Sequence, residues 1–254
     1  MPKYSQVFLA DNAICARIAG ALDHEKFDQL IEIGPGGGAL TACLFPKYQG
    51  RMTAVEIDAS LVPALERKFK GLKLVTGDFL KLDLTLSAGP GRTAFIGNLP
   101  YECSTPILEK TLFFGGFSVA VFMFQREVAR KILAVSGGSD YGYLSLLTAS
   151  RAVAELVMDI KAESFSPVPA VDSSVLLFRP KVFFRDAAEE RRFKEFAKKA
   201  FAHRRKTLVN SLSLCGIEKT AAAAALAKYG FKPAARAQEI PLEGFAVLAA
   251  ELQK

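Results

Sequence analysis

The stretch EIGPGGGA (residues 32–39) decides the fold of this 254-residue chain. It begins within the short apolar run Gln29–Ile33 and ends at Ala39, where a helical pattern begins. Glycines at the end of a strand let the backbone approach a ligand closely, and the helix N-terminus offers unpaired N–H groups. Gly34, Gly36 and Ala39 also satisfy the dinucleotide fingerprint. The loop alone therefore predicts a nucleotide-type cofactor without choosing between NAD and other nucleosides.

Strand-like and helix-like segments alternate from this loop to residue 180, which predicts an α/β fold with a mostly parallel sheet and helices on both faces. The strands are expected at 29–33, 52–57, 72–75, 93–96 and 119–124. Segments 152–160 and 174–178 are expected to form a late antiparallel hairpin at an edge of the sheet. Four helices follow, near 186–202, 204–214, 219–228 and 241–252. We therefore predict a catalytic domain at 1–182 and a small all-helical domain at 183–254.

The charge is distributed unevenly along the chain. Lysine and arginine number 33 against 26 acidic residues, for a net charge of +7. Residues 1–180 hold 18 basic and 18 acidic side chains, whereas residues 181–254 hold 15 and 8. Eight basic residues and one acid lie between Arg191 and Lys206. A neutral body with a basic helical segment predicts a polyanionic partner.

Composition excludes several other classes of protein. The four cysteines are far apart and there are two histidines, so neither a metal site nor a disulfide framework is expected. No secretory signal and no apolar run of about 20 residues is visible, which predicts a cytoplasmic protein with no membrane partner. The protein is expected to be a monomer.

Acidic residues end three successive strands and favour one cofactor over the other. Glu32 stands directly before the glycine loop, where it would repel a diphosphate and suit a cationic amino acid. Glu56 closes the second strand and can accept two ribose hydroxyls. Asp78 follows the third strand and could accept from an adenine amine while Phe79 packs on the ring. Although each acid alone is typical of a solvated loop, the three together favour S-adenosylmethionine over NAD.

The segment Asn98-Leu99-Pro100-Tyr101 follows the fourth strand. An exocyclic base amine is a poor nucleophile, and two acceptors, the Asn98 side-chain oxygen and the Leu99 carbonyl, could favour its tetrahedral form. Pro100 would fix the turn and Tyr101 would stack on the base. In isolation the same residues describe a simple Asn-x-Pro turn. Phe165, in a proline-stiffened loop, is interpreted either as the opposite wall of a base pocket or as a core anchor.

These motifs together resemble those of the KsgA family of small-subunit rRNA adenine-N6 dimethyltransferases. The resemblance is carried by residues 6–9, 32–41, 98–106, 125–129, 141–145, 165–173, 201–212 and 236–240. It implies a Rossmann-like methyltransferase fold, S-adenosylmethionine as cofactor with S-adenosylhomocysteine as product, and dimethylation of two adjacent adenosines in the 3′-terminal hairpin of small-subunit rRNA on a pre-ribosomal 30S-type particle. The cofactor residues it implies are Gln6, Val7, Leu9, Glu32, Gly34, Gly36, Glu56, Ile57, Asp78, Phe79 and Asn98. Val7 stands where the family has Asn, so a contact there must use the backbone.

This resemblance implies that the basic segment binds rRNA. The residues expected to contact rRNA phosphates are Arg191, Arg192, Lys194, Lys198, Lys199, Arg204, Arg205 and Lys206. Three alternatives remain open: a large-subunit rRNA methyltransferase of the antibiotic-resistance type, a non-catalytic relative that binds RNA or assists ribosome assembly, and an NAD oxidoreductase. A solvated helix face is the structural alternative for the charge run.

Overall fold

The computed structural model describes residues 8–9, 11–85 and 91–253. Gln6 and Val7 lie outside the described residues. The helices are α1 (Asn12–Gly20), α2 (Ala39–Tyr48), α3 (Val62–Lys68), α4 (Ser104–Leu112), α5 (Arg126–Leu133), α6 (Tyr143–Arg151), α7 (Ala187–Phe201), α8 (Leu208–Leu214), α9 (Lys219–Lys228) and α10 (Leu242–Leu252). The strands are β1 (Phe8–Leu9), β2 (Gln29–Ile33), β3 (Met52–Glu56), β4 (Lys73–Thr76), β5 (Thr93–Asn98), β6 (Phe117–Gln125), β7 (Ala152–Ile160), β8 (Phe165–Ser166) and β9 (Ser173–Pro180).

Seven strands form one sheet in the order β4-β3-β2-β5-β6-β9-β7. The neighbours from β4 to β6 are parallel, and β9 pairs antiparallel with β6. The predicted α/β class with a late edge addition is therefore confirmed. β1 and β8 form a separate antiparallel pair in which Leu9 faces Phe165.

The burial of each strand depends on its position in the sheet. All five residues of β3 are buried, as are the first five of β5, because helices cover both faces of a parallel sheet. The segment 72–75 was predicted to be a buried strand; the strand is confirmed, but its burial was wrong. β4 begins at Lys73 and its four residues are exposed or half-buried, because it lies at the edge of the sheet and has one strand neighbour.

The sheet topology brings four loops to one edge. In the order β4-β3-β2-β5, all strands run in the same direction, so the residues that follow them leave from the same side. Gly97 marks how closely two of these ends approach, since a Cβ there would lie 2.5 Å from the Ile33 carbonyl oxygen. The ligand-binding edge of such sheets is the carboxyl edge.

The chain divides into two compact units. One contains residues 1–129 and 153–180, and the other contains 130–152 and 181–254. This differs from the predicted division at residue 182 by the segment Arg130–Ala152. The physical reason is packing: Tyr141 and Leu146 belong to the buried cluster that includes Phe193, Phe196 and Phe245. The sequence pattern missed α6, which lies within that segment.

The division into these two units changes how the charged residues are distributed between them. Segment 130–152 adds three basic residues and one acid to the 15 and 8 after residue 180, which gives the helical unit 18 basic and 9 acidic residues. The α/β unit keeps the remaining 15 and 17. The helical unit therefore carries more than the whole net charge of the chain. Among the helices that the structure describes, none has the length and apolar character needed to cross a bilayer.

Candidate functional site

The glycine loop lies between the ends of β3 and β5. Gly34 adopts φ +68°, a left-handed conformation that side chains disfavour, and its N–H donates to the Val55 carbonyl at 2.9 Å. A Cβ on Gly34 would stand 4.0 Å from the carbonyl oxygen of Asn98. The loop therefore brings the first glycine next to the end of β5, where the predicted catalytic segment begins.

Glu56 fixes the shape of this loop. Its carboxylate is 2% exposed, and its two oxygens accept the Gly36 N–H and the Asp58 N–H, both at 2.9 Å. The Glu56 carbonyl also accepts the Gly77 N–H at 2.8 Å, which joins β3 to the loop after β4. A carboxylate offers about four lone-pair sites. Glu56 thus has the capacity to accept two further hydroxyl groups while it holds the glycine loop.

Glu32 is a buried carboxyl group with a strongly perturbed pKa. It is 1% exposed, and one of its oxygens accepts the Thr41 hydroxyl at 2.7 Å. Burial, reinforced by the negative charge of Glu56, outweighs the Thr41 hydrogen bonds and raises the pKa of Glu32 to about 7. A cation placed beside Glu32 would restore the ionised form, so the environment suits an ammonium ligand.

The cofactor affinity is predicted to depend on pH through Glu32. Because ionised Glu32 is disfavoured in the free protein below pH 7, S-adenosylhomocysteine should bind roughly tenfold more tightly at pH 8 than at pH 6, releasing a proton. The pKa of Glu32 in the folded protein lies above its ordinary value of about 4.5. Because ionised Glu32 is disfavoured in the folded state, the free energy of unfolding should fall as pH rises from about 4.5 to about 7. Calorimetry in buffers of different ionisation enthalpy measures both the affinity and the proton release.

Glu32→Gln is the matched variant for this experiment. It keeps the side-chain volume and an acceptor for Thr41 but cannot titrate. We expect weaker binding that is nearly independent of pH between 6 and 8. A pH dependence that survives in Glu32→Gln would assign the titration to a different group.

Asp78 and its neighbours form the third part of the site. Asp78 is half-buried, and one carboxylate oxygen caps the turn Phe79–Lys81 by accepting the Leu80 N–H at 2.9 Å. The Phe79 ring is 4% exposed and packs edge to face on Phe95, whereas Ile57 is 40% exposed at the end of β3. Of these two predicted cofactor residues, Ile57 is the one whose side chain is exposed.

The segment Asn98–Tyr101 is held on both sides. Asn98 is the last residue of β5 and pairs with Met123 of β6, while Leu99 is 1% exposed. The Tyr101 hydroxyl lies 3.2 Å from the Ser173 hydroxyl, and the Ser104 hydroxyl donates to the Tyr101 carbonyl at 3.2 Å. Pro100 is exposed. Packing therefore fixes the backbone of the segment, and the tyrosine ring is tied to the start of β9.

Phe165 occupies a buried position. Its side chain is 3% exposed and belongs to the same apolar cluster as Leu9, its partner in the β1–β8 pair. This environment corresponds to the core-anchor interpretation, and its role as a wall of a base pocket stays a prediction. The loop that follows Phe165 is tied down by Asp172, whose carboxylate accepts from the Lys161 ammonium at 3.0 Å and the Ala162 N–H at 3.2 Å.

The predicted RNA residues separate into two groups in the helical unit. Those on α7 are Arg191, Arg192, Lys194, Lys198 and Lys199, all exposed or half-buried. Arg204, Arg205 and Lys206 were expected to open a helix at 204, and this was wrong: they lie in the turn between α7 and α8, and Thr207 caps α8 by accepting the Asn210 N–H.

Arg204 has a structural task within this turn. Its guanidinium donates to the carbonyls of Ser139 and Tyr141 at 3.1 and 2.7 Å, which holds the chain ahead of α6. Arg205 and Lys206 are exposed beside it. The three basic residues that look equivalent in the sequence therefore have different environments.

Three residues of the site were not recognised from the sequence as functional. Thr41 binds Glu32, Ser173 contacts Tyr101, and Lys110 contacts the turn after Asp78. Thr41 and Ser173 are polar residues at buried positions of an apolar helix face and strand, which is a signal that sequence periodicity can detect. Within residues 8–9, 11–85 and 91–253, no group of three or more His, Cys, Asp or Glu side chains could hold a metal ion.

Comparison with known proteins bears on the family of this chain. The family model "Ribosomal RNA adenine dimethylase" matches residues 1–254. Proteins named ribosomal RNA small subunit methyltransferase A from Geobacter metallireducens and Myxococcus xanthus are each 39% identical; the alignments cover 96% and 97% of this chain and 92% and 89% of those proteins.

Solved structures show the same fold. A dimethyladenosine transferase from Plasmodium falciparum aligns with a TM-score of 0.80 at 24% identity, covering 97% of both chains. The 23S rRNA methyltransferase ErmE aligns with a TM-score of 0.71 at 27% identity, covering 97% of this chain and 100% of that one. With the family model matching the full chain and relatives near 39% identity, this chain belongs to the ribosomal RNA adenine dimethylase family.

Proposed function

We propose that this protein uses S-adenosylmethionine to dimethylate the N6 amines of two adjacent adenosines in the 3′-terminal hairpin of small-subunit rRNA, on a pre-ribosomal particle. The observation that carries the proposal is the end of β5, where Asn98 and the buried Leu99 stand beside the glycine loop. The small-subunit relatives at 39% identity support the choice of RNA.

The donor set at the strand ends fits this cofactor. The buried Glu32 carboxyl, with its raised pKa, suits the ammonium of a methionine tail, and the remaining lone pairs of Glu56 suit ribose hydroxyls. Asp78 is oriented by its own turn and suits the adenine amine. When bound, the cofactor supplies an electrophilic methyl group on a sulfonium. No metal is needed in this proposal.

The catalytic segment would act by accepting hydrogen bonds. The Asn98 side-chain oxygen and the Leu99 carbonyl would each accept one N–H of the target amine, which directs the nitrogen lone pair toward the methyl donor. Pro100 would limit movement of the turn, and Tyr101, held at its hydroxyl by Ser173, would stack on the extruded base. The proton lost after methylation can pass to water, so no general base is required.

The helical unit would hold the RNA. It carries 18 basic and 9 acidic residues, and the exposed basic residues of α7 and of the following turn are concentrated between residues 191 and 206. Phosphate binding by such a surface is independent of sequence. Choice of the adenosines would then depend on the α/β unit.

The decisive experiment compares two RNA substrates. The purified protein is given methyl-labelled S-adenosylmethionine with undermethylated small subunits, and separately with large-subunit rRNA. We expect label in N6,N6-dimethyladenosine of the small-subunit RNA. Label in the large-subunit RNA alone would favour the alternative that the 27% identity to ErmE keeps open. Absence of label in both RNAs, with intact cofactor binding, would favour a non-catalytic relative.

A second prediction concerns the salt dependence of RNA binding. Replacing both Arg205 and Lys206 with Ala should weaken binding and reduce the slope of log affinity against log salt by about 1.4 to 1.8, because two phosphate contacts are lost. The measurement is a filter-binding or anisotropy titration at several salt concentrations. An unchanged slope would mean that these side chains are merely solvated.

Arg204→Ala is the informative comparison for this pair. Because Arg204 donates to the Ser139 and Tyr141 carbonyls, its loss should lower the melting temperature by about 3 °C and change the salt slope less than the double variant does. A slope change equal to that of the double variant would assign Arg204 to phosphate binding as well.

A further inference from the structure

The ammonium group of Lys110 is surrounded by backbone carbonyls of a single turn. Nζ donates to the carbonyls of Phe79, Leu80 and Leu82 at 2.8, 2.9 and 2.5 Å. An ammonium has three N–H donors, so this set of contacts uses all of them. Lys110 is half-buried, and burial lowers its pKa, while the nearby Asp78 and Asp83 carboxylates act in the opposite direction.

The turn held by Lys110 is the one that orients Asp78. The Asp78 carboxylate accepts the Leu80 N–H at 2.9 Å, and the Asp78 carbonyl accepts the Lys81 N–H at 2.9 Å. A three-residue 3₁₀ helix leaves its last carbonyls without partners of its own, and a cation is favoured at that end. Lys110 and Asp78 therefore secure the two ends of the same short helix.

Lys110 also connects this turn to the catalytic segment. It lies on α4, whose first residue, Ser104, donates to the Tyr101 carbonyl. Nζ is also 5.4 Å from the centroid of the Phe79 ring, which packs on Phe95 of β5. One helix is thus bonded to the catalytic segment at its start and to the Asp78 turn near its end.

We propose that Lys110 is a positioning residue for the adenine end of the cofactor, acting through the Phe79–Lys81 turn on the direction of the Asp78 carboxylate. The inference rests on the proposed function, in which Asp78 accepts from the adenine amine. The proposal implies that loss of Lys110 lowers the affinity for ligands that carry the 6-amino group of adenine much more than the affinity for ligands that lack it.

The test measures binding of S-adenosylhomocysteine and of its 6-deamino analogue to the full chain by calorimetry. In Lys110→Met, which keeps the apolar stem, affinity for S-adenosylhomocysteine should fall about tenfold, and affinity for the analogue should change less than twofold. The KM for S-adenosylmethionine should rise similarly, with kcat at saturating cofactor nearly unchanged. Equal losses for both ligands would show a merely structural role and overturn the proposal.

Two further variants complete the design. Lys47→Met removes an exposed lysine of the same unit that pairs with Asp23 at 2.8 Å, and it should alter neither affinity. In an Asp78→Asn background, Lys110→Met should have less than a twofold further effect, because the carboxylate it orients is gone; a full additional tenfold loss would contradict the proposal. If Lys110→Met does not fold, Lys110→Arg, whose planar fork suits three converging carbonyls poorly, should show the same selective loss at about threefold.

Because these measurements need no RNA, they separate the two claims. Absence of rRNA methylation, together with a selective loss of S-adenosylhomocysteine affinity in Lys110→Met, would reject the proposed substrate and keep the role of Lys110. If the protein methylates small-subunit rRNA but Lys110→Met shows no selective loss of S-adenosylhomocysteine affinity relative to the 6-deamino analogue, the proposed substrate is kept and the role of Lys110 is rejected.

Discussion

Asn98→Ala is expected to reduce methyl transfer by about 10³-fold or more, while S-adenosylhomocysteine affinity stays within about threefold. The side-chain oxygen is one of two acceptors proposed for the target amine, and a misdirected lone pair cannot attack in line. The backbone conformation should not change in this variant, because Leu99 is buried and residue 98 of β5 pairs with Met123 of β6. Single-turnover transfer to small subunits, together with calorimetric cofactor binding, measures the two quantities.

Asn98→Asp provides the matched control. It keeps an acceptor oxygen of nearly the same volume, so we expect more residual transfer than in Asn98→Ala. Asn210→Ala, in the helical unit, should leave single-turnover transfer nearly unchanged. If Asn98→Ala loses cofactor affinity as much as it loses transfer, the role of Asn98 is in cofactor binding rather than in aligning the amine.

Glu56→Gln is expected to weaken S-adenosylhomocysteine binding by about 10²-fold, the second largest effect. The carboxylate accepts the Gly36 and Asp58 N–H groups, and an amide can accept only through one oxygen. The substitution therefore places an NH₂ group against a buried N–H, loosens the glycine loop and removes acceptors proposed for the ribose. Calorimetry and a melting curve distinguish lost contacts from global unfolding.

Glu66→Gln is the comparison for this variant. Glu66 lies exposed on α3 in the same unit, so its neutralisation changes the charge by the same amount at a distance from the loop. We expect no measurable effect on affinity. A loss at Glu56→Gln of less than about threefold, with an unchanged melting temperature, would remove Glu56 from the cofactor site.

The sequence was informative wherever a signal is local. The alternation of strands and helices, the glycine loop and the acids at successive strand ends predicted the α/β fold and the edge that carries the site, because parallel strands deliver their carboxyl ends to one side. The resemblance then supplied the family, which the full-length match confirms. The prediction of β4 as a strand was correct, but its burial was wrong, because an edge position depends on strand order.

Contacts between distant segments were beyond the reach of such patterns. Segment 130–152 follows the α/β pattern along the chain, yet its apolar residues pack with helices that begin some 40 residues later. Arg204 matches its neighbours in type, but the two carbonyls it contacts belong to residues more than 60 positions away. Likewise, nothing in the spacing of Lys110 indicates three carbonyls of one turn.

By itself, the sequence determined the class of fold, the order of the motifs and a basic C-terminal segment, because these depend on residue type and on separation along the chain. Only the tertiary structure decided that Glu56 holds the glycine loop, that Phe79 and Phe165 are buried, and that Arg204 and Lys110 use their charges on backbone carbonyls. The physical reason is that a hydrogen bond or a burial is a property of two positions in space, and chain folding brings those positions together without leaving a local pattern.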